Sequence, residues 1–384
     1  MTIIQQNDRD TSVKFYSSVR ESDAENKFHF RDALRIFIEN LTTASLTSLF
    51  TAIAVCGAAI LSAVIFLKED VMLSPSAAVL AQDPLDDYEF GTSQALRLMR
   101  SPPQGPHLAL IGTAAMRETL TADDDIAGRL ARGLGRPMPV IDFMSGGQSG
   151  IEMAAYADSL GRDFQGVVVL GVSFSRLAAD SAELAKLVDE PRLAFVSPAA
   201  DAEIRAAGFA VPARTGNYFI DNYKFFVARY RTTLWHLLTG KAPVHATRTY
   251  LGRPPADARQ WASDAAILKA RTAHYDDRAD NNLGAMERLV RMFPDRSKVK
   301  IVLLEIPLNP RAEREVLGSD FVARHRARMQ AFAQKEGVLY WDLNQSAGLT
   351  PADFQDWAHV NTASGQDRWT TQLIDRLLPL LQSK

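Results

Sequence analysis

Cysteine is almost absent: the 384 residues hold one, Cys56. A single thiol excludes a disulfide framework and a thiolate metal cluster. An excess of one charge is also missing. The 43 basic and 45 acidic residues leave a formal net charge of −2, which excludes nucleic-acid binding driven by a strong electrostatic term. No internal repeat is present. The length fits one large domain with appendages, or two small domains.

Charge disappears altogether from one stretch. Between Asn40 and Leu67 no residue is charged, and the centre reads LTSLFTAIAVCGAAILSAVIFL (46–67). About 20 apolar residues cross a bilayer as a helix, and soluble core helices rarely run so long without a charge or a cap. The run lies too far from the N-terminus for a cleavable signal peptide. Before it stand Arg9, Lys14, Arg20, Lys27, Arg31 and Arg35; after it, Lys68 is the one Lys or Arg until Arg97. The positive-inside rule then predicts a single-pass protein of the cytoplasmic membrane, with its N-terminus inside and everything after Leu67 outside.

Residues 1–45 read as a cytoplasmic tail, in which FHFRDALRIFIENL (28–41) carries apolar residues at helical spacing. Residues 68–105 read as an extracytoplasmic stalk with a short helix near Ser93–Met99. From residue 106 the pattern changes. Short apolar runs predict strands at 107–112, 139–143, 166–172, 192–197, 300–306 and 338–343. Amphipathic helices are predicted at about 115–134, 149–160, 180–188, 280–293, 316–335 and 366–381. Continuous apolar strands alternating with helices imply a parallel sheet covered on both faces. The expected fold is therefore a three-layer α/β/α sandwich over 106–384, flavodoxin-like in class, with ligands outside the carboxyl ends of the strands. A helical insertion is expected at about 200–280. Its aromatic and Arg-rich stretch 217–240 packs into the core or faces a membrane or membrane partner.

The chemistry concentrates at those strand ends. HLALIG ends in Gly112-Thr113-Ala114, a strand-to-helix turn of the kind that presents a nucleophile. A Gly-rich turn, SGGQSGIE (145–152), enters the next helix, where backbone N–H groups can face an anion. The third strand ends in GVSFS (171–175). Before the last helix, FQDWAHVNTASGQ (354–366) places Asp356 and His359 three residues apart, the spacing by which one loop supplies a general base and the carboxylate that orients it. Taken alone that motif is weak, because an exposed loop with a capping Asp has the same spacing. Of the other histidines, His107, His236, His245, His274 and His325 show no ligand-like spacing, and no metal is expected. Arg117 and Glu118 line the site or form a structural pair.

The order of these blocks resembles the SGNH (GDSL-like) hydrolases over about residues 106–384. Ala114 aligns with the nucleophile serine, Gly147 of FMSGGQS with the oxyanion glycine, and Ser173 of GVSFS with the position of the oxyanion Asn. Asp356-Trp357-Ala358-His359 matches the final block. One span followed by an exported domain of this kind resembles the DltD-like and AlgJ/AlgX-like acyltransferase group. That resemblance implies no cofactor, a membrane-bound O-acyltransferase (MBOAT) partner, and a cell-surface polysaccharide or teichoic-acid-like polymer as acceptor. The Ala- and Arg-rich composition favours acetyl over D-alanine as the acyl group.

Two residues depart from the pattern. Ser173 replaces the Asn, at a block where the DltD-like group also diverges. Ala114 replaces the serine, and a methyl group cannot attack a carbonyl. Thr113 is the neighbouring hydroxyl, but its side chain is expected to point away from a tight turn. An intact Asp–His pair around Ala114 fits an engineered Ser→Ala replacement better than a natural loss, after which the pair would drift. Three function classes follow: an acyltransferase present without its serine, a carbohydrate esterase or deacetylase on the same scaffold, and a non-catalytic scaffold for polysaccharide modification.

Overall fold

The computed structural model describes residues 45–73, 87–228 and 250–382. The expected tail with its 28–41 helix, half of the aromatic stretch 217–240, and His236 and His245 lie outside them. Two compact units divide at Phe66/Leu67. In the first, Leu46–Phe66 is one continuous helix with mean hydropathy 2.5 and no buried residue. It is long and apolar enough to span a membrane.

The second unit is a mixed α/β structure built on five parallel strands: β1 (Pro106–Thr113), β2 (Val140–Ser145), β3 (Gln165–Val172), β4 (Val299–Glu305) and β5 (Leu339–Trp341). Their spatial order is β2-β1-β3-β4-β5, and every pairing is parallel. Successive strand side chains point to opposite faces, so β1 splits its apolar run between two cores. Ala109 and Ile111 join Phe143, Val168, Leu170 and Leu303 on one face, beneath helices Gly150–Ser159, Tyr275–Arg291 and Ser319–Glu336. Leu108 and Leu110 join Met144, Val169 and Val302 on the other, against helices Asp123–Leu134 and Ala363–Gln382. This is the three-layer sandwich expected from the continuous apolar strands.

Three expectations need correction. Residues 192–197 form no strand. The Ala194 N–H donates to Thr92 Oγ1 at 3.3 Å and its carbonyl accepts from Tyr218 Oη at 2.7 Å, so side chains satisfy the backbone that a neighbouring strand would otherwise pair. The helix expected over 115–134 is two pieces, Ala114–Arg117 and Asp123–Leu134. Between them the Thr121 N–H donates to Thr370 Oγ1 at 2.9 Å, tying the break to the last helix. Finally, part of the expected stalk belongs to the sandwich. Helix Asp87–Arg100 buries Tyr88, Thr92, Ala95 and Leu96, because the spacing of these residues makes one face of a helix.

The order 2-1-3-4-5 has its switch point between β1 and β3, the place at the carboxyl edge where open α/β sheets of this class hold their ligands. Two glycines lie at that edge. A Cβ on Gly112 would lie 2.7 Å from Met116 Sδ, and one on Gly171 2.8 Å from the same atom. The absence of both side chains seats Met116 between β1 and β3 and keeps the Ala114 turn close to the sheet.

Candidate active site

The Asp356–His359 pair is built within a single loop. Asp356 Oδ1 accepts the N–H groups of Ala358 and His359, both at 2.8 Å, which closes the turn. Oδ2 of the same carboxylate meets His359 Nδ1 at 2.7 Å. One side chain therefore shapes the loop and holds the imidazole. Because Nδ1 is engaged, Nε2 is the nitrogen left to exchange a proton with a reacting group. The side chains are 13% and 19% exposed, so the pair is neither sealed in the core nor an open surface contact.

The loop is anchored from outside. Asn309 Nδ2 donates to the Asp356 carbonyl at 2.8 Å, and the Asn309 N–H donates to the Trp357 carbonyl at 2.9 Å. Asn309 also caps the turn that follows β4, through its Oδ1 and the Arg311 N–H at 2.9 Å. The strand end and the catalytic-type loop are thus joined through one buried amide. Tyr250 stacks on the imidazole of His359, with centroids 4.1 Å apart and planes 5° from parallel. Asp264 lies near the pair on the inward face of helix Ala258–Thr272, between the buried Trp261 and Leu268. Its Oδ1 accepts from Gln260 Nε2 at 2.8 Å, and its carboxyl is raised by burial and by the Asp356 charge.

The Ala114 turn joins this loop through Glu118. The Glu118 N–H donates to the Ala114 carbonyl at 2.7 Å. The buried Glu118 carboxylate accepts the Tyr250 N–H at 3.2 Å and pairs with Arg117 at 3.3 Å. Arg117 and Glu118 are 3% and 0% exposed and form a buried structural pair that also acts electrostatically on His359. Ala114 itself is half-buried, at the start of its short helix. Thr113 Oγ1 is buried and has no hydrogen-bond partner among the described residues, and a hydroxyl shut off from solvent is unsuited to accept an acyl group.

The other two sequence-predicted residues sit at neighbouring strand ends. Gly147 is exposed in the turn after β2, at φ +61°, a conformation that favours glycine. Ser173 is buried directly after β3. Its Oγ accepts the Arg176 N–H at 3.2 Å as a helix cap, leaving the hydroxyl hydrogen to donate elsewhere. The sequence left Tyr250, Asn309 and Asp264 unmarked. The Asn-Pro pair at 309–310 is a legible turn signal, but nothing linear joins it to a loop 47 residues away.

The charges around His359 set its titration. Burial opposes protonation, but the Asp356 carboxylate overrides it by charge and hydrogen bond, with help from Glu118 and opposition from Arg117; the net direction is upward from 6.5. Burial likewise disfavours the ionised Asp356, yet His359 and two backbone N–H groups bring its pKa below 3.8. The depressed Asp356 pKa contributes stability that is present above the unfolded value and lost as pH falls through the folded one. The raised His359 pKa contributes stability that is complete below the unfolded value and lost as pH rises through the folded one. Base function needs the neutral imidazole, so activity has the opposite slope. In an Ala114→Ser chain, the pH dependence of kcat/KM for a small ester is expected to rise with a midpoint above 6.5. A midpoint at or below 6.5 would mean that Asp356 does not govern the imidazole.

No family model matches the chain, and no curated protein matches it. Among solved structures, a crystal structure described as a putative acylhydrolase from Bacteroides fragilis NCTC 9343 is 13% identical, with a TM-score of 0.32 over 75% of this chain and 95% of that one. At that TM-score the likeness carries no weight. The fold class stands on the strand order and parallel register of the chain itself.

Proposed function

We propose that this chain is a single-pass, membrane-anchored acyl-transfer protein of the SGNH type, with its α/β domain on the outer side of the cytoplasmic membrane and Ala114 in the place of the nucleophile. The observation that carries this reading is the 2.7 Å Asp356–His359 contact in a loop linked, through Tyr250 and Glu118, to the turn at the end of β1. An orienting carboxylate, a base with a free nitrogen and a strand-end turn are the parts that covalent acyl transfer needs.

With serine at 114 the reaction has two steps. The serine Oγ attacks the acyl carbonyl carbon while its proton passes to His359 Nε2. The resulting oxyanion is held by the Gly147 N–H and by N–H groups near 114, assisted by Ser173. The intermediate collapses, the leaving alcohol takes the proton from His359, and an acyl-serine remains. An acceptor hydroxyl then gives its proton to His359 and attacks the acyl-serine, which returns the free serine. A sugar hydroxyl as acceptor makes the protein an acyltransferase, and water makes it an esterase or deacetylase. An acyl group, acetyl in preference, supplied by an MBOAT partner and delivered to a cell-surface polysaccharide completes this reading.

Ala114 favours a second reading for the chain as it stands. Alanine offers no lone pair, so this form holds acyl donor or glycan without turnover and acts as a scaffold for polysaccharide modification. Treating the full chain and its Ala114→Ser variant, both in detergent micelles, with a fluorophosphonate serine probe tests the site. Labelling of the Ser form alone is expected. An unlabelled Ser form would sink the triad assignment and leave the scaffold reading. Product analysis of a labelled form separates the two enzymes: acyl on glycan for a transferase, acyl released to water for an esterase.

A further inference from the structure

The turn after β2 has its carbonyl groups clamped one after another. Tyr88 Oη donates to the Gly146 carbonyl at 2.6 Å, and Arg192 Nη1 donates to the same oxygen at 3.2 Å. Arg192 Nη2 donates to the Gly147 carbonyl at 3.0 Å, and Arg176 Nη2 to the Gln148 carbonyl at 2.7 Å. The clamp is itself held firmly. Arg192 forks onto the buried Glu152 carboxylate with two contacts of 2.6 Å, and its guanidinium lies 4.2 Å from the centroid of the Tyr88 ring.

A trans peptide points its C=O and N–H in opposite directions. The Gly146 carbonyl shares its peptide with the Gly147 N–H, so fixing that carbonyl against Tyr88 and Arg192 turns the Gly147 N–H away from them. The following N–H groups are already engaged: Gln148 donates to the Ser145 carbonyl at 3.4 Å and Ser149 to Glu152 Oε2 at 2.7 Å. Among the described residues, the Gly147 N–H donates to no protein acceptor. A glycine at φ +61° flanked by Gly146 is also where the peptide turns over most easily. Without the clamp, the carbonyl could take the place of the N–H.

We propose that Tyr88 and Arg192 are positioning residues that hold the Gly146–Gly147 peptide in the orientation in which the Gly147 N–H serves as an oxyanion donor. The inference rests on the acyl-transfer reading above. It also gives helix Asp87–Arg100 a direct grip on the site.

The test uses the full chain in detergent micelles. In an Ala114→Ser background, Tyr88→Phe and Arg192→Lys are each expected to lower kcat for a small ester by about 10-fold or more, towards the ~10²–10³ of losing an oxyanion donor. KM should change little. Affinity for a trifluoromethyl ketone, whose serine adduct carries the oxyanion, should fall in step with kcat. Unchanged kcat and unchanged ketone affinity in both variants would overturn the clamp while leaving the triad standing. Hydrogen exchange over residues 143–150 in the Ala114 chain needs no chemistry. Faster exchange there, with the rest of the domain unaltered, supports the clamp, and unaltered exchange overturns it. An inert Ala114→Ser chain with faster loop exchange would locate the failure in the triad reading instead.

Discussion

Asp356→Asn, introduced into an Ala114→Ser chain, is expected to lower kcat for ester cleavage by about 10⁴-fold, the scale seen when a catalytic triad keeps its geometry but loses the right tautomer. The geometry here favours that outcome. Asp356 Oδ1 closes its own turn onto the N–H groups of Ala358 and His359, and an asparagine oxygen keeps both bonds. The other oxygen accepts from His359 Nδ1 at 2.7 Å. An NH2 group there donates instead of accepting, so the proton moves to Nε2 and that nitrogen can no longer take one from serine. The loop stays folded while the base is disabled. Little change in KM should accompany the loss, because neither group is needed to seat the ester. Steady-state kinetics on the two variants decide the matter. A loss smaller than about 10-fold would show that Asp356 only shapes the loop, as its two backbone contacts would by themselves suggest.

Gly166→Ala should cause one of the largest losses of stability in the sandwich. A Cβ at this position would lie 2.0 Å from the His107 carbonyl oxygen and 2.7 Å from the His107 nitrogen. Both are backbone atoms of β1, which pairs with β3 and with β2 and cannot withdraw. The backbone here also has φ +122°, which alone costs about 1–3 kcal/mol for a side-chain-bearing residue. With the clash added, the expected loss is at least ~3 kcal/mol, read as a lower denaturant midpoint. Gly128→Ala makes the contrast. Gly128 lies inside helix Asp123–Leu134, and its nearest neighbour to an added Cβ is the flexible Arg132 Nη1, at 3.6 Å. Alanine should therefore stabilise the helix by about 0.5–1 kcal/mol. Equal midpoints for the two variants would contradict the close approach of β3 to β1.

The grip of Tyr88 on the loop after β2 bears on the proposed anchoring. Helix Asp87–Arg100 packs on the sandwich through Leu96 and Ala95 and reaches Gly146 through Tyr88. A partner that displaced this helix would act directly on the peptide proposed as oxyanion donor, with no change at Asp356 or His359. Such coupling is a local hydrogen-bond event and needs no long relay.

What the sequence alone determined was whatever short-range pattern encodes. Apolar runs at β1–β4 marked strands buried on both faces, and the uncharged run 46–67 marked a helix able to span a bilayer. Asp356 and His359 were legible as a pair because three residues of one turn suffice to bring them together. The same reasoning failed at 192–197, where Ala194 and Phe195 are buried in a loop and Val196 is exposed. Burial and strand pairing leave the same mark on the sequence, and only the neighbours distinguish them. Tertiary structure alone decided the rest: the strand order that puts the switch point between β1 and β3, Tyr250 stacked on His359, Asn309 holding the Asp356 carbonyl, and Tyr88 and Arg192 on Gly146. These contacts join residues tens of positions apart. Hydrogen-bond donors such as Tyr and Arg are common along any chain, and which carbonyl each one meets is set by how the helices pack on the sheet.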